Sequence, residues 1–114
     1  MSRVLVLVPE NNVRELRRLV LAHAGFEVVA PEMSAALGMM ETSTFDALVV
    51  SRVEDAVGCE LIAAFRRRNP EGRVIVVGAQ GRTRLLANAI VDPFDPAALI
   101  SALQSGPGKS AGAC

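Results

Sequence analysis

The run Val4-Leu-Val-Leu-Val8 decides the fold. It is apolar at every position, so it lacks the alternation of a strand with one face in water. A strand built from it is buried on both faces, which is the habit of parallel sheets covered by helices on both sides. Ala47–Val50 (ALVV), Val74–Val77 (VIVV) and Ala89–Val91 (AIV) repeat the pattern, and Phe26–Ala30, with Val28-Val29 at its centre, makes a weaker fifth strand. In sheets of this kind the functional site lies at the carboxyl ends of the strands. Here those ends read Val8-Pro9-Glu10, Ser51-Arg52, Gly78-Ala79 and Asp92-Pro93.

Segments of helical periodicity separate the runs. Asn12 and Glu15 have the spacing of a capping box. They open a helix to about Ala24, with Val13, Leu16, Leu19, Val20 and His23 toward the sheet and Gly25 as its stop. Met33–Glu41 reads as a short helix weakened by Gly38, with Met33, Met39 and Met40 as core filler. Asp55 is placed to cap a helix over Val57–Arg68, with Cys59, Ile62, Ala63 and Phe65 or Arg66 on adjacent turns. Its last turn carries Arg66–Arg68, where the helix dipole favours cations, and Asn69-Pro70 ends it. Gly72 precedes the fourth run. Asp95 is an N-cap with Pro96 at the first helical position, and Leu99, Ile100 and Leu103 face inward from the last helix. About eleven residues join the fourth and fifth runs, fewer than the dozen or so of a full crossover. At most one short helix, Arg82–Asn88, fits there.

The 114 residues make one domain, 1–104, followed by a Gly-, Ser-, Pro- and Ala-rich tail, 105–114, expected to be disordered. With 51% hydrophobic residues the core needs no disulfide or metal staple. Twelve basic residues balance twelve acidic ones, so no global field draws in nucleic acid or anionic lipid. No apolar run approaches the ~20 residues of a membrane span. Met1-Ser2-Arg3 enters the first strand at once, which reads as a chain without a leader. Cys59 and Cys114 have no framework spacing, and a reduced, cytoplasmic protein is the simple expectation. Arginine outnumbers lysine eleven to one, Lys109 being the exception, and this reads as a composition bias.

Three stretches carry a resemblance to a known family. They are Arg3-Val-Leu-Val-Leu-Val8 with Glu10-Asn-Asn-Val-Arg-Glu-Leu16, then Phe45-Asp-Ala-Leu-Val-Val50 with Gly58-Cys-Glu-Leu61, and Asp92-Pro-Phe-Asp-Pro96. In order and spacing they resemble the receiver domain of two-component response regulators, the CheY-like superfamily. The resemblance covers Arg3 to Gln104. It implies an α/β, flavodoxin-like, doubly wound sheet of five parallel strands in the order 2-1-3-4-5, here with a shortened fourth helix.

The resemblance also implies a site. Receivers accept a phosphoryl group on an aspartate with the help of Mg²⁺. An acidic pair after strand one holds the metal, the nucleophile follows strand three, and a hydroxyl residue and a lysine bind the phosphoryl oxygens. In this chain the acidic pair falls on Val8 and Pro9, the nucleophile on Ser51, the hydroxyl residue on Gly78 and the lysine on Asp92. The aromatic residue that usually reports activation falls on Ala89. The chain therefore looks like a degenerate receiver, a pseudo-receiver without the phosphoacceptor aspartate. No catalytic residue, metal ligand set or cofactor is expected.

The remaining candidates each have a plainer reading. Ser51 as a nucleophile needs a base, and the one histidine, His23, is expected on the first helix facing the sheet. Glu10, Asp55 and Asp92, with Glu54 beside them, would make a weak divalent-ion site, but Glu10 and Asp55 also suit helix starts. Asp92 in place of a lysine makes the site more negative. Gly78-Ala-Gln-Gly81 resembles a phosphate-cradling turn but lacks the dinucleotide spacing, and Gly108-Lys109-Ser110 is only a fragment of a P-loop. Arg14, Arg17 and Arg18 form a basic stripe on the first helix, and Arg82 and Arg84 mark the shortened segment.

The expected function is phosphorylation-independent protein interaction in two-component-like signalling. The partner is a protein, with a second copy of the chain among the candidates, and the expected surfaces are Arg14, Arg17 and Arg18 or Arg82–Asn88. The alternative is a small-ligand or divalent-ion sensor using the strand-end crevice. An enzyme of unrelated chemistry has no base–nucleophile pair to support it.

Overall fold

The computed structural model describes residues 3–78, 86–93 and 95–104. Arg82, Arg84, Gly81, Phe94 and the tail at 105–114 lie outside the described residues, as do the expectations attached to them. The elements are β1 (Arg3–Leu7), α1 (Asn11–His23), β2 (Glu27–Val29), α2 (Met33–Thr42), β3 (Ala47–Ser51), α3 (Asp55–Arg68), β4 (Arg73–Val77), β5 (Ala89–Val91) and α4 (Pro96–Gln104). The strands form one parallel sheet in the order β2-β1-β3-β4-β5. This is the doubly wound, flavodoxin-like arrangement expected.

Strand alternation splits the core in two. Leu5, Leu7, Leu48, Val50, Val74 and Val76 face α2 and α3, where Met40, Leu61, Ile62 and Phe65 complete one cluster. Val4, Val6, Val8, Val49, Ile75 and Val77 face α1 and α4, where Leu21, Leu99 and Leu103 complete the other. The central strands are buried on both faces, apart from the half-buried Arg3, as their composition demands. The edge strands are not: Glu27 is exposed on β2, and Ile90 is 49% exposed on β5.

Several local expectations are corrected. The Asn12–Glu15 capping box does not form. The α1 N-cap is Glu10, without a side-chain cap bond, and the Asn12 side chain accepts from the Val13 amide beside it. Leu16 and Leu19 are 62% and 51% exposed, and His23 is exposed rather than facing the sheet. Starting at Asn11 turns the helix so that Val13, Arg17 and Leu21, four apart, form the inner row. Asp55 is the first residue of α3 rather than its cap, behind Glu54, and Ala63 points to solvent while Gly58 and Leu61 are buried. At α4 the expected cap is present: the Ala98 amide donates to Asp95 Oδ1 at 3.0 Å.

Two polar side chains hold the far end of the sheet. Asn69 is 7% exposed; its Oδ1 accepts from the Phe45 amide at 2.9 Å and its Nδ2 donates to the Phe65 carbonyl at 3.0 Å. It ends α3 and starts β3 with one side chain. Asn88 closes the short β4–β5 connection. Its amide donates to the Val74 carbonyl at 2.7 Å, and its Oδ1 accepts from the Val74 amide at 2.7 Å and from Arg66 Nη2 at 3.1 Å. Arg66 also reaches the Leu86 carbonyl at 2.8 Å. A side chain of α3 thus braces the described end of the β4–β5 connection, residues 86–88.

Candidate functional site

The carboxyl ends of β1, β3, β4 and β5 meet as the parallel topology requires. Val8 follows β1 and is fully buried, packed with Val6 and Val49, while Pro9 is exposed. A side chain committed to the core offers no ligand atom. Ser51 is the last residue of β3, in register with Val77, and is 1% exposed. Its Oγ is buried without a hydrogen-bond partner, a state that costs roughly 1–3 kcal/mol unless something fills it.

Gly78 follows β4 with φ 67°, a left-handed conformation that side chains rarely adopt. Its amide donates to the Val91 carbonyl at 2.9 Å, tying β4 to β5. A Cβ there would lie 3.5 Å from the ring of Pro93. Asp92 is exposed beyond β5, and its carbonyl accepts from the Asp95 amide at 3.1 Å.

The acids do not gather. Among the described residues no three of His, Cys, Asp and Glu come together as a metal-ligand set. Glu10 instead forms an ion pair with Arg52, joining the β1–α1 loop to the β3–α3 loop. Both side chains are about half exposed, so this pair contributes on the order of 0–1 kcal/mol. Arg52 holds φ 60°, alone among the described non-glycine residues in having positive φ, which costs about 1–2 kcal/mol.

The α1 arginines do not form one free stripe. Arg14 donates to the Val8 carbonyl at 3.4 Å and to Asn11 Oδ1. Arg18 makes a two-point pair with Glu15, with Nε to Oε1 at 3.0 Å. That hydrogen bond, with the charges of Arg18 and Arg14, holds the Glu15 carboxyl below its usual range, and the pairing raises Arg18 in turn. Arg17 lies on the inner row, half-buried, and its Nε is buried without a partner. Burial, and then the nearby charge of Arg52, hold its guanidinium below the usual arginine range.

Sequence reasoning named Ser51, Glu10 and Arg17 but missed how they are placed. Position 17 is four residues from both Val13 and Leu21, so its place on the buried row was readable from spacing. Nothing in the sequence marks the left-handed backbone at Arg52. Two clefts open at the opposite end of the sheet and along α2. One, of about 780 Å³, is lined by Phe26, Phe45, Asn69, Arg73 and Leu103. The other, of about 480 Å³, is lined by Leu37, Met40, Ala64 and Arg67. Neither touches Glu10, Ser51 or Asp92. Among the described residues no helix is long and apolar enough to cross a membrane.

No family model and no curated protein matches the sequence. Solved structures do. The receiver domain of a CheY-like response regulator from Methylobacillus flagellatus superposes with a TM-score of 0.77 at 21% identity, over 92% of this chain and 98% of that one. A sensor protein from Polaromonas sp. JS666 is 26% identical, with a TM-score of 0.73 over 90% and 92% of the two chains. The response regulator TrrA of Thermotoga maritima, solved with Mg²⁺ and beryllofluoride, gives 0.72 at 21% identity over 90% and 99%. TrrA has also been solved in complex with the histidine kinase ThkA.

Proposed function

We infer that this chain is a receiver-type signalling module that works without phosphoryl transfer, by binding a protein partner. The observation that carries this reading is the end of β3. The side chain there is a hydroxyl at 1% exposure, where acyl-phosphate chemistry needs an accessible carboxylate. The fully buried Val8 and the left-handed Gly78 support it from the two flanking strands. Asp92, just beyond β5, offers no cation to a phosphoryl oxygen.

The partner surface favoured here is α1. Leu16 and Leu19, three apart and both more than half exposed, form an apolar patch beside the Arg18–Glu15 pair. That TrrA binds a histidine kinase supports a protein as the partner of this chain as well. The ion-sensor alternative is weaker, since Glu10 is engaged by Arg52.

Incubation with acetyl phosphate and Mg²⁺, read by intact mass, tests the reading. The expected result is no covalent phosphate adduct; an adduct mapped to any residue of the strand-end loops overturns it.

A further inference from the structure

The edge strand β5 has little burial to hold it. It is three residues long and pairs with β4 alone. Val91, and in part Ala89, pack on the cluster covered by α1 and α4. Ile90 points to the other face, as strand alternation requires, and is 49% exposed; Leu86, four residues before it, is 40% exposed. Of the three side chains of β5, Val91 alone is buried.

Hydrogen bonds supplement that burial, and Asn88 is their centre. Val74 lies on the fully buried β4, and its amide and carbonyl are both satisfied by Asn88. Asn88 Oδ1 accepts from the Val74 amide and the Asn88 amide donates to the Val74 carbonyl, each at 2.7 Å. A side chain stands in there for a strand carbonyl. Arg66 in turn holds Asn88. Its Nη2 donates to Asn88 Oδ1 at 3.1 Å and to the Leu86 carbonyl at 2.8 Å. Arg66 is half-buried in the last turn of α3 and makes no ion pair among the described residues. Its charge goes to two neutral acceptors, and such charge-assisted bonds are the stronger kind. At the other end of β5, the Gly78 amide donates to the Val91 carbonyl at 2.9 Å. That bond touches neither Arg66 nor Asn88.

We propose that Arg66 is a latch: β5 and residues 86–88 detach from β4 as one unit while the rest of the fold stays closed, and the Arg66 guanidinium sets how often. Little apolar surface keeps the unit in place, so its opening costs less than global unfolding. Withdrawing the guanidinium loosens Asn88 and, through it, the pairing of the whole strand. Arg66 is thus a positioning residue that acts on Asn88, and it couples α3 to the sheet edge. The open state leaves the amide and carbonyl of Val74 free on β4, which becomes the new edge. The inference rests neither on the loss of phosphoryl transfer nor on docking through α1.

Native-state hydrogen exchange of the full chain tests it. The amides of Val74, Asn88 and Gly78 are the reporters, and those of Leu48 and Val49 on the central β3 are the controls. In the native chain the three reporters should share one opening free energy, below that of the controls and nearly independent of low urea. Arg66→Ala should speed exchange at all three by about tenfold or more. Gly78 separates a latch from a local brace, since Arg66 does not touch its bond. Val28→Ala, on β2 at the opposite edge of the sheet, should speed the controls and leave the reporters unchanged. Arg66→Lys, a milder change, should move the same three amides in the same direction where Arg66→Ala fails to fold. Acceleration at Val74 and Asn88 without Gly78 overturns the proposal, as does no acceleration in either Arg66 variant. So does a Val28→Ala chain whose reporters speed up with the controls, because β5 would then open only with the whole fold.

Discussion

Arg52 reaches across the carboxyl end of the sheet to pair with Glu10, and does so from a left-handed backbone. The two effects oppose each other. The exposed pair contributes on the order of 0–1 kcal/mol, while the conformation costs a non-glycine residue about 1–2 kcal/mol. Arg52→Gly should therefore leave the stability unchanged or raise it by up to about 1 kcal/mol. Arg52→Val, β-branched at the same φ, should lower it by about 1–3 kcal/mol. Urea unfolding of the three proteins distinguishes these; a glycine variant clearly less stable than the native chain would mean that the ion pair outweighs the backbone strain.

Asn69 is the polar keystone of the opposite end. Removing its side chain leaves the Phe45 amide, which it now satisfies at 2.9 Å, buried without a partner. Asn69→Ala should lose about 1–3 kcal/mol, with amide exchange at Phe45 accelerated. A loss within the noise of the unfolding curve would show that water replaces the side chain.

Gly72 has no conformational need to be glycine, but it has a steric one. A Cβ there would lie 2.7 Å from the ring of Phe65, which is fully buried. Gly72→Ala should cost about 1–3 kcal/mol by overpacking, and shrinking the ring through Phe65→Leu in the same chain should recover part of that loss. Independent, additive losses would place the strain elsewhere.

The Glu15 carboxyl is held low, first by the hydrogen bond from Arg18. A depressed folded value means that the pair's contribution is present above the unfolded carboxylate value and is lost as pH falls through the folded one. Arg18→Ala should shift the Glu15 titration midpoint upward in a carboxyl-carbon NMR titration. An unmoved midpoint would remove Arg18 as the cause.

Much of this fold is written in the sequence, because its signals are local and redundant. Apolar runs such as Val4–Val8 leave no choice but a doubly buried strand, and Asp95-Pro96 starts its helix as such a pair should. The phase of α1 was misjudged for a physical reason. Leu16 and Leu19 fit the apolar period as well as Val13 and Leu21 do, and only the start at Asn11, set by the β1–α1 loop, decides which row is buried. The site was half legible. The residue types at Val8, Ser51 and Gly78 motivate the proposal that receiver chemistry is missing, yet the orphaned Arg17 Nε and the left-handed Arg52 arise from tertiary packing, which no local pattern encodes.

The central claim is that the strand-end loops have lost receiver chemistry. An amide NMR titration with beryllofluoride, run with and without Mg²⁺, tests it most directly. The account predicts no Mg²⁺-dependent shift at Val8, Glu10, Ser51, Asp55 or Gly78. Saturable shifts at those residues that require both Mg²⁺ and beryllofluoride would contradict it.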